Sequence, residues 1–221
     1  MAIDIPSAIA AIGSLGTASF ALVDTTKAFW GGVSNRGFGH IQSVLRGLFP
    51  IDDKTSGGAA NYAAIRGMLR ANWINGTALA DQKSIAKTLI KIRLDATNAA
   101  HLAHETEVDA ATLATLAVKY ESGAALTPEE MNVAGRFDLL LTTRLDEAYQ
   151  RADQAYRNSS KLLAVVFSVL LAIGGKLTLG PVIDWGVAIL AGLLAAPLAP
   201  VSKDIASALQ ASVKTLQAIR K

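Results

Sequence analysis

The sequence predicts an all-α integral membrane protein with three transmembrane helices and a cytoplasmic antiparallel coiled-coil helical hairpin. Three observations lead there. Uncharged apolar runs occupy residues 5–23, 162–175 and 185–202, and runs approaching 20 apolar residues match a hydrocarbon core about 30 Å thick. The apolar excess, 51% of residues with only 6% aromatic, is concentrated in those blocks, whereas a soluble core would scatter it. Between the blocks, apolar and small residues recur in steps of four and three, the period of a packed helix.

Residues 1–30 form the first unit of this scheme, an N-terminal transmembrane helix. No Lys or Arg precedes the run in Met1-Ala2-Ile3-Asp4, so it lacks the basic start of a signal peptide and is expected to be retained. Gly13, Thr17 and Ala21 recur every fourth residue and give a smooth stripe for close helix packing. Phe29 and Trp30 stand where a membrane interface favours aromatic rings. The glycine-rich stretch 31–39 has no Gly-Lys-Ser/Thr ending, so it reads as a turn and not as a phosphate loop.

Residues 31–160 read as a cytoplasmic helical stalk domain. A short helix over 40–48 stops at Pro50, and another over 59–74 stops at Asn75-Gly76. Residues 78–120 contain neither proline nor glycine, and Ile85, Leu89, Ile92, Ala96, Ala99, Ala103, Thr106, Ala110, Leu113, Ala117 and Tyr120 form a heptad seam, so one long helix is expected. Gly123 ends it. Thr127-Pro128-Glu129-Glu130 starts the next helix with an N-cap, a proline at the first helical position and a glutamate at the third. That second arm repeats the spacing at Leu141, Leu145, Ala148, Ala152 and Ala155. A short turn makes the arms antiparallel, with Leu145 opposite Ala103 and Thr106.

Residues 161–202 read as a transmembrane helical hairpin that turns between Lys176 and Asp184, with a small-residue face at Ala188, Gly192 and Ala196. Pro197 and Pro200 are expected to kink or end its second helix. Residues 203–221 follow as an amphipathic tail striped by Ile205, Leu209, Val213, Leu216 and Ile219. Near the membrane ends, Lys27, Arg36, Arg144, Arg151, Arg157, Lys161, Lys203, Lys214, Arg220 and Lys221 fall on one side and Lys176 on the other. The positive-inside rule then puts the stalk and C-terminus on the cytoplasmic side and the N-terminus outside; for a bacterial chain, that means the inner (plasma) membrane.

Chemistry is sparse. The absence of cysteine removes disulfides, thiolate metal sites and cysteine nucleophiles. A net charge of +3 with acids and bases interleaved gives no nucleic-acid arm. His101, His104 and Glu105, with Glu107 and Asp109 nearby, are the candidate metal ligands, but their order fits no zinc helix motif and a solvated helix face is expected. No nucleophile elbow occurs, and no carboxylate or histidine lies within the apolar runs. Neither catalysis, active transport nor any cofactor is expected. The expected function is that of a non-enzymatic inner-membrane scaffold or assembly protein. It sits in the lipid bilayer, self-associates as a homo-oligomer, and offers its stalk to a cytoplasmic protein partner. An oligomeric ion channel or pore lined by Ser7, Ser14, Thr17 and Ser168 is the alternative. The apolar hairpin between charged amphipathic helices, residues 162–221, resembles the organisation of colicin-type pore domains, and that resemblance implies a pore-forming toxin.

Overall fold

Eight α-helices and no strand make up the described residues, 5–29, 31–49 and 58–200, of the computed structural model. They are α1 (Ile5–Thr25), α2 (Ser34–Leu48), α3 (Gly58–Ile74), α4 (Leu79–Ile92), α5 (Ala99–Thr106), α6 (Ala110–Ser122), α7 (Pro128–Leu179) and α8 (Trp185–Pro200). Trp30, the stop at Pro50 and the amphipathic tail lie outside the described residues. The chain divides into two compact units. One is Ser34–Tyr156; the other joins Met1–Val33 to Arg157–Lys221, and α7 supplies residues to both.

The Ser34–Tyr156 unit has one apolar core. Phe38, Ile41 and Leu45 of α2 are buried at helical spacing, as are Ile65, Leu69 and Trp73 of α3. Leu102, Leu113 and Leu116 join them from α5 and α6, and Phe137, Leu141, Leu145 and Tyr149 from α7. Trp73 packs its ring against Tyr149 and Tyr156, with centroids 6.4 and 6.3 Å away. Its indole N–H donates to the carbonyl of Ser34 at 2.8 Å, so the one polar atom of this side chain is satisfied.

The stretch 31–39 is not wholly a turn. Gly31 and Gly32 do adopt positive φ, 88° and 47°, but α2 begins at Ser34 and takes Gly37 and Gly39 into its first turns. Gly37 is there for packing. A Cβ on it would lie 2.5 Å from the carbonyl oxygen of Ala152 and 2.7 Å from Cζ2 of Trp73.

The long helix expected over 78–120 is three helices, and polar side chains make the breaks. Asp95 Oδ1 accepts from the backbone N–H of Thr97 (2.8 Å) and Asn98 (2.9 Å), while Asn98 Oδ1 accepts from the N–H of Asp95 (3.0 Å). This reciprocal cap restarts the helix as α5. α5 ends at Glu107, which takes the left-handed conformation with φ 53°, and Asp109 then caps α6 by accepting from Thr112 N at 2.7 Å. The heptad seam is therefore interrupted. Ile92, Ala96, Ala110 and Tyr120 are exposed, Ile85 and Leu89 are half-buried, and Ala99, Ala103, Thr106, Leu113 and Ala117 are buried. The buried line of α4 is instead Gln82, Ala86 and Ile90. On α7, Leu141, Leu145, Ala148 and Ala152 are all buried.

Gly37 and Gly39 provide a paired test of this packing. Gly37→Ala should lower stability by about 1–3 kcal/mol, because backbone must move to admit the methyl group. Gly39→Ala meets nothing within 4 Å and should raise stability by roughly 0.5–1 kcal/mol through helix propensity alone. Denaturant midpoints of the full chain, followed by tryptophan fluorescence, distinguish the two.

Candidate functional site

Two surfaces qualify as sites, one in each unit. In the first, α1 and α7 are long and apolar enough to cross a membrane by length and composition. Their most apolar 18-residue stretches are only 22% and 11% buried within the chain. α8, at 16 residues from Trp185 to Pro200, is shorter, so two helices and not three meet that criterion among the described residues. Leu162, Val166 and Leu170 of α7 and Val187, Leu190 and Leu194 of α8 are exposed aliphatic side chains. α8 is helical through Pro197, which has no N–H to offer the carbonyl of Leu193.

The small residues of this unit are used where helices touch. Ala188, Gly192 and Ala196 are all buried. A Cβ on Gly192 would lie 2.7 Å from Cα of Val169, and across the same contact Ser168 Oγ donates to the carbonyl of Gly192 at 2.7 Å. On α1 the stripe runs along a different line from the one expected. Gly13 is buried, but Thr17 and Ala21 are exposed; the buried line is Gly13, Gly16, Ser19 and Val23. Gly16 makes the closest approach, since a Cβ there would lie 2.0 Å from the carbonyl oxygen of Ala195 and 3.0 Å from Cβ of Ala199. The hydroxyls of Ser14 and Thr17 bond back to Ala10 O (2.8 Å) and Gly13 O (3.1 Å), within their own helix.

In the Ser34–Tyr156 unit, Lys83, Lys87 and Lys91 stand one turn apart on α4 and reach across to α7. Lys83 Nζ lies 2.6 Å from Asp146, while Lys87 and Lys91 share Asp138 at 3.1 and 2.9 Å. Residue numbers rise along one helix as they fall along the other, so α4 and α7 run antiparallel. Between them is a groove of about 320 Å³ floored by Ala80, Ser84, Thr142 and Leu145. The hydrogen bond from Lys91 is the largest influence and holds the Asp138 carboxyl below the usual range; burial opposes it, and Lys87 adds to the lowering. Near the α6–α7 turn, Lys119 lies 2.8 Å from Glu130. Glu130 also accepts from the N–H of Thr127 (2.7 Å) and donates its own N–H to Thr127 Oγ1 (3.2 Å), a complete capping box. Lys119 first, then Thr127, lower its pKa. Tyr149 is raised by burial, and its hydroxyl donates to the carbonyl of Gln82 at 3.4 Å.

The candidate metal ligands do not converge. His101 Nε2 donates to the carbonyl of Gly47 at 2.5 Å, joining α5 to α2. His104 is on the exposed side, 3.4 Å from the carboxylate of Glu105. Among the described residues no group of three His, Asp or Glu side chains is placed to hold a metal ion. The sequence signal of the Lys–Asp ladder is Lys83, Lys87 and Lys91 at four-residue spacing, which the heptad seam does not include. No protein-family model, curated protein or solved structure matches the chain.

Asp138 gives the ladder a pH dependence of known sign. Because its folded pKa is depressed, its stabilisation is present above the unfolded value of about 3.9 and is lost as pH falls through the lower, folded value. Asp138→Asn should therefore be less stable than the parent near neutrality by about 0.4–2 kcal/mol for two surface pairs. That difference should shrink below about pH 4. Denaturant midpoints of both proteins between neutral and acid pH measure it.

Proposed function

We propose that the chain is a non-enzymatic membrane scaffold or assembly protein. In this reading α1 and the α7–α8 hairpin lie in the bilayer as three crossings, and Ser34–Tyr156 is a helical interaction module on the cytoplasmic face of a bacterial inner membrane. The observation that carries the reading is the exposure of the apolar helices. A core helix of a soluble protein hides its aliphatic side chains, whereas 11% burial in the most apolar stretch of α7 leaves them uncovered. In hydrocarbon the same side chains are solvated, and small residues make the helix contacts, as they do at Gly16 and Gly192. The orientation rests on the charge asymmetry, in which Lys176 stands alone at the far end of the hairpin.

Self-association through α1 fits the exposed small residues Thr17, Ala18 and Ala21 better than it fits α8, whose small face is covered within the chain. An oligomeric pore is the second reading, favoured by the exposed hydroxyl-bearing Ser14 and Thr17 on that same face of α1. The module's partner would engage the α4–α7 groove, where three lysines meet two aspartates and leave a net positive edge.

Fractionation tests the membrane assignment: the chain should stay with inner membranes through an alkaline wash and need detergent for release. Recovery in the soluble fraction without detergent removes this reading and favours a stored toxin. Protease added to inverted vesicles should cut at the exposed stretch 121–125, and intact spheroplasts should protect it. Cutting from the outer face alone reverses the orientation.

Mass measurement in mild detergent and in native lipid particles should find a homo-oligomer. Ala21→Leu on the uncovered face should shift it toward monomer with the fold intact. Gly192→Leu should instead disrupt the α7–α8 contact, because its Cβ collides with the backbone of Val169. A wild-type monomer in both media would refute the assembly role.

A further inference from the structure

The turn between α7 and α8 holds a cation without an anion. Lys176 Nζ donates to the carbonyl of Gly180 at 2.5 Å and lies 5.7 Å from the ring centroid of Trp185. Gly180 makes this possible: at φ 68° it reverses the chain, and its carbonyl comes back to a residue four positions earlier. Among the described residues no carboxylate lies within 4.0 Å of Lys176. The only other charge in residues 162–200, Asp184, is occupied as the cap of α8: its Oδ1 accepts from Gly186 N at 2.8 Å and its carbonyl from Ala188 N at 3.0 Å. An ammonium carries three N–H donors, and the protein takes one of them.

Beside this ammonium is a cleft of about 390 Å³ among α1, α7 and α8. Ile12 and Leu15, Leu171 and Gly175, and Ile183 and Val187 line it, and among the described residues Lys176 is the one charged side chain there. The volume falls within the range of ligand pockets, about 300–1,000 Å³. An apolar cleft lined by one half-buried lysine is complementary to an amphiphile with an aliphatic chain and an anionic head. We propose that the cleft binds an acyl chain of an anionic phospholipid whose phosphate sits on Lys176. This rests on the membrane assignment above. The preference for net negative charge follows from the missing counter-ion. A zwitterionic lipid brings its own ammonium, which competes for the phosphate; phosphatidylglycerol brings none. Trp185, 50% exposed at the start of α8, sits where an indole favours the headgroup region.

Native mass spectrometry of the full chain in mild detergent, with phosphatidylglycerol and phosphatidylcholine of matched chains, tests the proposal. The wild type should retain phosphatidylglycerol over phosphatidylcholine by about fivefold, the effect of one lysine near an anionic headgroup. Lys176→Met should bring that ratio near one, and Lys176→Arg should preserve it. Gly175→Leu should reduce retention of both lipids by filling the cleft, since a Cβ at 175 meets nothing within 4 Å and the backbone need not move. Circular dichroism and elution volume on the same samples establish that each variant is folded. Equal retention of the two lipids by the wild type, or an unchanged ratio in Lys176→Met, overturns the proposal. A chain that fractionates with membranes yet shows no preference defeats this inference alone, whereas a chain soluble without detergent defeats the membrane assignment as well.

Discussion

A Cβ added to Gly16 would sit 2.0 Å from a backbone oxygen of α8, one on Gly192 would sit 2.7 Å from a backbone carbon of α7, and one on Gly37 would sit 2.5 Å from a backbone oxygen of α7. No side chain fits at those distances, so helices in both units meet backbone against backbone. The other contacts depend on that approach. Ser168 spans to the carbonyl of Gly192 because the helices are already close, and Trp73 lies flush over Gly37 because that residue presents no side chain. The two units differ in what drives the contact. Burial of Leu, Ile and Phe from water consolidates the core of Ser34–Tyr156. Among α1, α7 and α8 the buried residues are mainly alanine, glycine and serine, which contribute through close van der Waals contact and hydrogen bonding.

Features encoded by neighbouring residues were legible in the sequence. The Thr127–Glu130 capping box is present as read, Gly76 and Gly123 take positive φ just past α3 and α6, and the helical period of α7 places Leu141, Leu145 and Ala152 in the core. The breaks within 78–120 are not legible from proline and glycine, since neither residue occurs there. Asp95 with Asn98, and Asp109 with Thr112, end and restart helices just as well by offering the backbone other hydrogen-bond partners. Glu107 in the left-handed region has no such local signature; it closes the end of α5, where the N–H of Val108 donates to the carbonyl of Ala103 at 3.1 Å.

Features that depend on a partner helix were much less legible. A helix rich in small residues supports several smooth stripes, and α1 offers both Gly13-Thr17-Ala21 and Gly13-Gly16-Ser19; only the position of α8 selects between them. The Lys87–Asp138 pair joins residues 51 apart in sequence, so finding it requires the register of α4 on α7, and an unbroken helix over 78–120 gives the wrong one. The role of His101 and Glu105 likewise depends on a partner helix. One turn apart on α5, they do share a face, but that face meets Gly47: His101 bonds its carbonyl, and a Cβ at 47 would lie 3.2 Å from Glu105 Oε2. Their arrangement is a junction between helices.

The two units also differ in when the chain can complete them. Ser34–Tyr156 is continuous, so a ribosome that has released Tyr156 has delivered every residue of its core. The other unit is assembled from both ends of the described chain, and Gly16 must wait for Ala195, 179 residues later, before its carbonyl partner exists. Domains tend to fold as they emerge, so the middle of the chain closes first and shortens the effective loop that α1 and α8 have to close. During that interval α1 presents an uncovered small-residue face, the kind of surface on which another helix packs closely. The smoothness that later admits the backbone of α8 thus also leaves the waiting helix open to other helices until Ala195 has been made.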